Sequence, residues 1–124
     1  MGTELDGNAF TFSAWVDVTS NSSANNVIYG ETTSVGNGEG RRISIMSNES
    51  LVYLVNHVDS GGNAQDTYRL GSFRSSYAGT PTHVMIVNSN TKPGATSCAS
   101  LYINGTYTPW TQETLASSGP GGTI

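Results

Sequence analysis

At 124 residues the chain is long enough for one domain around one core and too short for a second, so it is read as a single domain over residues 1–124. Only 11% of residues are charged and the formal charge is −4, with one lysine and four arginines. No basic stripe can form to neutralise a phosphate backbone, and nucleic-acid binding is set aside. Ser and Thr number 32 and Asn 11, a neutral, hydroxyl-rich composition that suits an extracellular, cell-surface or virion-surface setting. A lone cysteine, Cys98, excludes an intrachain disulfide framework, and no apolar run of about 18 residues is present to insert into a membrane. The opening MGTELDG has neither the basic nor the apolar region of a signal peptide, which fits a mature chain or export by assembly into a virus particle.

In chain order the dominant period is two. Phe10, Phe12, Ala14, Val16 and Val18 fall on one face of a long strand, with Thr11, Ser13, Trp15 and Asp17 on the other. TSNSSANN is a loop, Val27 to Tyr29 a short strand, and GETTSVGNGEG a loop rich in Gly and Thr. RRISIMS alternates with Ile43 and Ile45 inward, and Ser47 to Ser50 turns it into LVYLVNHV, apolar on both faces and therefore a central, doubly covered strand. DSGGNAQD breaks the pattern, Thr67 to Leu70 is a short strand, and SFRSSYAGTP is irregular. THVMIVNS resumes extended structure, with Val84 and Ile86 opposed to His83, Met85 and Val87. SNTKPGATS is a turn-rich connection. CASLYI and TYTPW then flank Asn104-Gly105, a strong hairpin signal, since a type I′ turn needs positive φ at both central residues. Pro109 confines the second arm to a sheet edge or strand end, and the tail ETLASSGPGGTI loses regular structure. No helix and no internal repeat is predicted.

Such a pattern makes an all-β, antiparallel two-sheet sandwich. Three motifs in order sharpen it: FTFSAWV from Phe10 to Val16, His83-Val84, and LYING from Leu101 to Gly105. Together they resemble the laminin-G-like jelly rolls of the concanavalin A-like lectin superfamily. The match departs at Pro81, where that family often carries Trp. That family usually has a strand before the opening motif and a closing strand pair after the hairpin, whereas only nine residues precede Phe10 and the tail is Gly-rich; the expectation is either a trimmed jelly roll, or sheets completed by a neighbouring subunit or a larger protein. The resemblance implies a non-catalytic recognition module for glycans or surface proteins. It also suggests that Trp15 serves structural packing.

No strand carries carboxylates at i, i+2 and i+4, so glycosidase chemistry is disfavoured, and neither His57 nor His83 has an Asp and Ser in catalytic order. His83 is expected to bond a neighbouring side chain at a strand start. Asp59, Asn63 and Asp66 are hard oxygen ligands on the flexible Gly-Gly frame of DSGGNAQD, compatible with calcium in a loop. For a sugar, the candidate platform is Trp110, with Tyr107 on the same face of the strand and Asp59 and Asn63 as polar contacts, against the alternative that Trp110 packs on the end of the sandwich. Arg41 and Arg42 would meet an acidic glycan or a carboxylate between subunits. Sequons at Asn21, Asn48 and Asn104 are expected by chance in so Asn- and Ser-rich a chain. Two functions follow: a carbohydrate-binding or adhesive module, or a decoration or fibre domain of a virion or cell-surface assembly acting through protein contacts.

Overall fold

The computed structural model describes residues 10–19, 25–32, 40–59, 62–88 and 99–116. The first strand, β1 (Phe10–Val16), is followed by β2 (Asn26–Thr32), β3 (Gly40–Ile45), β4 (Leu51–Asp59) and β5 (Gly62–Leu70). A short helix, α1 (Phe73–Tyr77), precedes β6 (Thr82–Asn88), β7 (Ala99–Ile103), β8 (Thr106–Thr108) and β9 (Thr111–Ala116). The strands form two antiparallel sheets, ordered β1-β6-β7-β8 and β2-β3-β4-β5-β9, which makes the two-sheet sandwich the alternation predicts.

Alternation decides what each face does. In β6, Thr82, Val84, Ile86 and Asn88 are buried while the residues between them are half-buried, because successive side chains leave opposite sides of the pleat. Ladder pairing places Phe12 opposite Ile86, and Ile86 opposite Leu101; likewise Ala14 pairs Val84, and Val84 pairs Ile103. Ile43, Ile45, Leu51, Tyr53, Val55 and Tyr68 come from the five-stranded sheet and complete the core. Removing such surfaces from water, at about 25 cal/mol per Å² of apolar area, is the main force holding the layers together. The Tyr53 hydroxyl donates to Asn88 Oδ1 at 3.1 Å, so one buried hydrogen bond links the sheets. β4 is the middle strand of its sheet, and Val52 is buried on the face opposite Leu51 and Tyr53, as expected of a doubly covered strand.

Three sequence expectations need correction. DSGGNAQD, apart from Ser60 and Gly61, which lie outside the described residues, is strand and not irregular: Asp59 pairs Gly62 and the ladder runs unbroken to Leu51 opposite Leu70. Gly62 to Asp66 have weak strand propensity, but all five pair with β4, and from Ala64 onward β9 pairs the other side, which overrides it. The tail keeps strand structure from Thr111 to Ala116, and residues 117–124 lie outside the described residues. Pro109 does end β8, since it cannot donate to the ladder, but the chain then crosses to the other sheet. There β9 pairs β5 from Thr111 opposite Arg69 to Ala116 opposite Ala64, supplying a closing strand where one was expected to be missing.

The third correction is the helix. One turn leaves no periodic trace in sequence, yet α1 is anchored firmly. Ser72 stands before it at φ 56°, turning the chain so that Phe73 is fully buried. Buried Arg74 donates through Nη1 to Thr19 O at 2.9 Å and through Nη2 to Asn26 Oδ1 at 3.4 Å, while its backbone N–H donates to Glu49 O at 3.0 Å. One residue thereby ties the exit of β1, the start of β2 and the β3–β4 turn to the helix.

Candidate functional site

The outward face of the four-stranded sheet is set by the same alternation that fills the core. With Phe12, Ala14, Val84, Ile86, Leu101 and Ile103 inward, the intervening Ser13 and Trp15 of β1, His83 and Met85 of β6, Tyr102 of β7 and Tyr107 of β8 take the other face. Trp15 is 70% exposed and Tyr107 59%, the two large aromatics most open to solvent among the described residues. His83, Met85 and Tyr102 are half-buried between them.

Each exposed ring is braced by a neighbour. Trp15 pairs His83 in the ladder, with ring centroids 5.3 Å apart and planes tilted by 57°. Tyr107 lies opposite Tyr102, with centroids 5.8 Å apart in an edge-on arrangement. Ser13 Oγ and His83 Nε2 share a hydrogen bond of 2.7 Å, so His83 bonds a neighbour as its strand-start position suggested. The hairpin turn completes the cluster: Asn104 and Gly105 have φ of 50° and 80°, as a type I′ turn requires. Asn104 then holds the His83 backbone from both sides, accepting from His83 N–H through Oδ1 at 2.9 Å and donating its own N–H to His83 O at 2.9 Å. FTFSAWV, His83-Val84 and LYING therefore converge on one residue, His83, the first through its ring and the last through its backbone.

The chemistry of this face is neutral and amphipathic. Among its described strand residues none is a carboxylate, guanidinium or ammonium; exposed Asp17 follows just beyond the end of β1. Ser13 and His83 have the distance of a nucleophile and its base, but among the described residues no carboxylate accepts from the imidazole to orient it. What the surface offers a ligand is aromatic area flanked by hydroxyl and imidazole groups.

The residues singled out in the sequence are scattered by comparison. Tyr107 is on the exposed face, as expected. Trp110 is not beside it: the indole is half-buried where the chain crosses between sheets, 5.2 Å from the Tyr68 ring and 6.3 Å from that of Tyr53, nearly parallel to the latter. Its Nε1 donates to Ala99 O at 3.1 Å, so the polar edge that a sugar would need is already used. Arg41 is buried at 2% exposure, and Arg42, its neighbour on the other face of β3, is half-buried. Arg41 therefore belongs to the interior and cannot be a surface contact for an acidic glycan. The calcium set loses the loop it was built on. Asp59 is opposite Gly62 and Asp66 opposite Val55, four ladder positions and roughly 13 Å apart, and an extended backbone does not wrap its carbonyls around one ion. Asn63, opposite Val58, sits within the same ladder.

Trp15, expected to serve structural packing, is instead exposed, and with Ser13, His83, Met85 and Tyr102 it forms a group the sequence reading missed. Strand parity was the available signal: it sets Trp15 apart from Phe12 and Val16, His83 and Met85 apart from Val84 and Ile86, and Tyr102 across the turn from Tyr107.

A nearly all-β sandwich of two antiparallel sheets, with a neutral aromatic sheet face, defines a lectin-like jelly roll. The laminin G-type family model, described as concanavalin A-like lectin/glucanases superfamily, matches residues 2–122. The chain belongs to that superfamily, whose laminin-G-like domains are typically binding modules for glycans or proteins and usually extracellular. Neither the curated proteins nor the solved structures gave a match. Among the described residues no helix is long and apolar enough to cross a membrane, which says nothing of strands.

Proposed function

We propose that this protein is a non-catalytic carbohydrate-recognition module of extracellular or surface setting, and that its platform is the outward face of β1, β6, β7 and β8. The observation that supports this reading is Trp15, left 70% exposed beside a hydrogen-bonded Ser13–His83 pair. An indole face matches the apolar C–H face of a pyranose ring, and adjacent hydroxyl and imidazole groups can exchange hydrogen bonds with its hydroxyls. So large an aromatic surface, held open on a sheet with a well-filled core, is the kind of patch that marks an interaction site.

The test is a glycan array read with the wild-type protein and with Trp15→Ala, each with and without calcium. Retention of specific glycans by the wild type and their loss in the variant is the expected result. If no glycan is retained in either condition, the carbohydrate reading falls. The alternative, a decoration, fibre or adhesive module acting through protein contacts, draws on β1 and β2, each paired on one side only among the described residues. Solution mass separates the two, because sheet completion by a neighbouring subunit requires an oligomer.

A further inference from the structure

The two exposed aromatics stand at opposite margins of one sheet. Trp15 is on β1 and Tyr107 on β8, with β6 and β7 between them, so three strand spacings, about 14 Å, separate them across the sheet. Along the strand direction they are offset by one step of the pleat: Trp15 is in register with His83, whereas Tyr107 is linked through Tyr102 to Met85. The two rings are thus carried by backbone positions about 16 Å apart. A single pyranose cannot touch both. The floor between them is made of the half-buried side chains of His83, Met85 and Tyr102 on this face.

From this spacing we infer that the ligand is an uncharged oligosaccharide laid across the strands from Trp15 to Tyr107, and not a single terminal sugar; the inference rests on the carbohydrate reading above. Both rings are held before a ligand arrives, Trp15 against His83 and Tyr107 against Tyr102, so little side-chain freedom is lost on binding. Charge narrows the class. The described strand residues of this face offer no cation to pair with a uronate or sulfate, and the chain's net charge of −4 opposes an acidic polymer.

Calorimetric titration of the intact chain decides the matter, using glucose, xylose and N-acetylglucosamine, their linear homo-oligomers up to the hexamer, and oligogalacturonate as the acidic counterpart. At least one neutral series should gain affinity with length by about tenfold or more. Trp15→Ala and Tyr107→Ala should each weaken the hexamer about tenfold, while Tyr107→Ala leaves any monosaccharide binding unchanged. Both positions are exposed, and Trp15→Phe, which keeps a ring there, should retain part of the affinity. Monosaccharide affinity within about twofold of the hexamer, or a hexamer indifferent to Tyr107→Ala, confines the site to one ring and overturns the inference while leaving the carbohydrate reading intact. Preference for oligogalacturonate overturns the uncharged class. If nothing in the series binds and the array is blank, the carbohydrate reading itself is lost, and the oligosaccharide with it.

Discussion

Trp110 lies half-buried at the crossing between sheets, nearly parallel to Tyr53 and bonded to Ala99 O, whereas Trp15 stands 70% exposed with His83 as its ring neighbour. The first fills a seam between layers with both its apolar face and its N–H; the second fills nothing and is held in place from one side. Burying an aromatic of this size is a large part of what any small sandwich can gain, so a chain that leaves one outside is giving up stability at that position.

The difference can be tested from its largest expected effect downward. Trp110→Ala should cost about 3 kcal/mol, through the vacated seam and the carbonyl left without its donor, and urea unfolding would measure it. A loss indistinguishable from that of Trp15→Ala would erase the contrast. Tyr53→Phe, which removes the hydroxyl bonded to Asn88, should cost about 1.5 kcal/mol in the same assay, because a buried acceptor loses a donor. Gly105→Ala should cost about 1 kcal/mol, since φ at that turn position is 80°, and by loosening Asn104 from His83 it should also weaken any ligand that rests on Trp15. Trp15→Ala should shift stability by no more than about 0.5 kcal/mol, as for most surface positions. With no energetic effect at all, acrylamide should quench the emission of Trp15 more strongly than that of half-buried Trp110, so Trp15→Phe should leave a protein whose remaining tryptophan fluorescence is quenched less steeply.

Much of the fold was legible because it obeys period two and one turn rule. Val84 and Ile86 announce their face, Leu51 to Val58 announce a doubly covered strand, and Asn104-Gly105 allow only the turn they make. The lapses have physical causes. Gly62 to Asp66 lack strand propensity, and only their pairing with β4, joined from Ala64 onward by β9, makes them extended. Pro109 stops a strand, as its missing N–H requires, but a stop in one sheet is also how a chain leaves it for the other. The candidate site was legible only in part for a related reason. Parity assigns Trp15 and Tyr107 to a face, yet nothing local says whether another layer covers it. Trp110 stands outside any strand, so alternation gave no information about it, and its place was fixed by Tyr53 and Tyr68 from the opposite sheet.

β9 also matters for the order in which the molecule can be assembled. β5 forms its hairpin with β4 early in the chain, but its other edge stays open until Thr111–Ala116 has been made and has crossed over from β8. β1 waits similarly for β6, most of the chain away. Such long-range ladders must be closed at the expense of loop entropy before they contribute anything, which places this sandwich among slow-folding topologies. A nascent or truncated chain ending before Thr111 would therefore present β5 as an open template, and its aggregation during synthesis is set by how soon the last strand arrives.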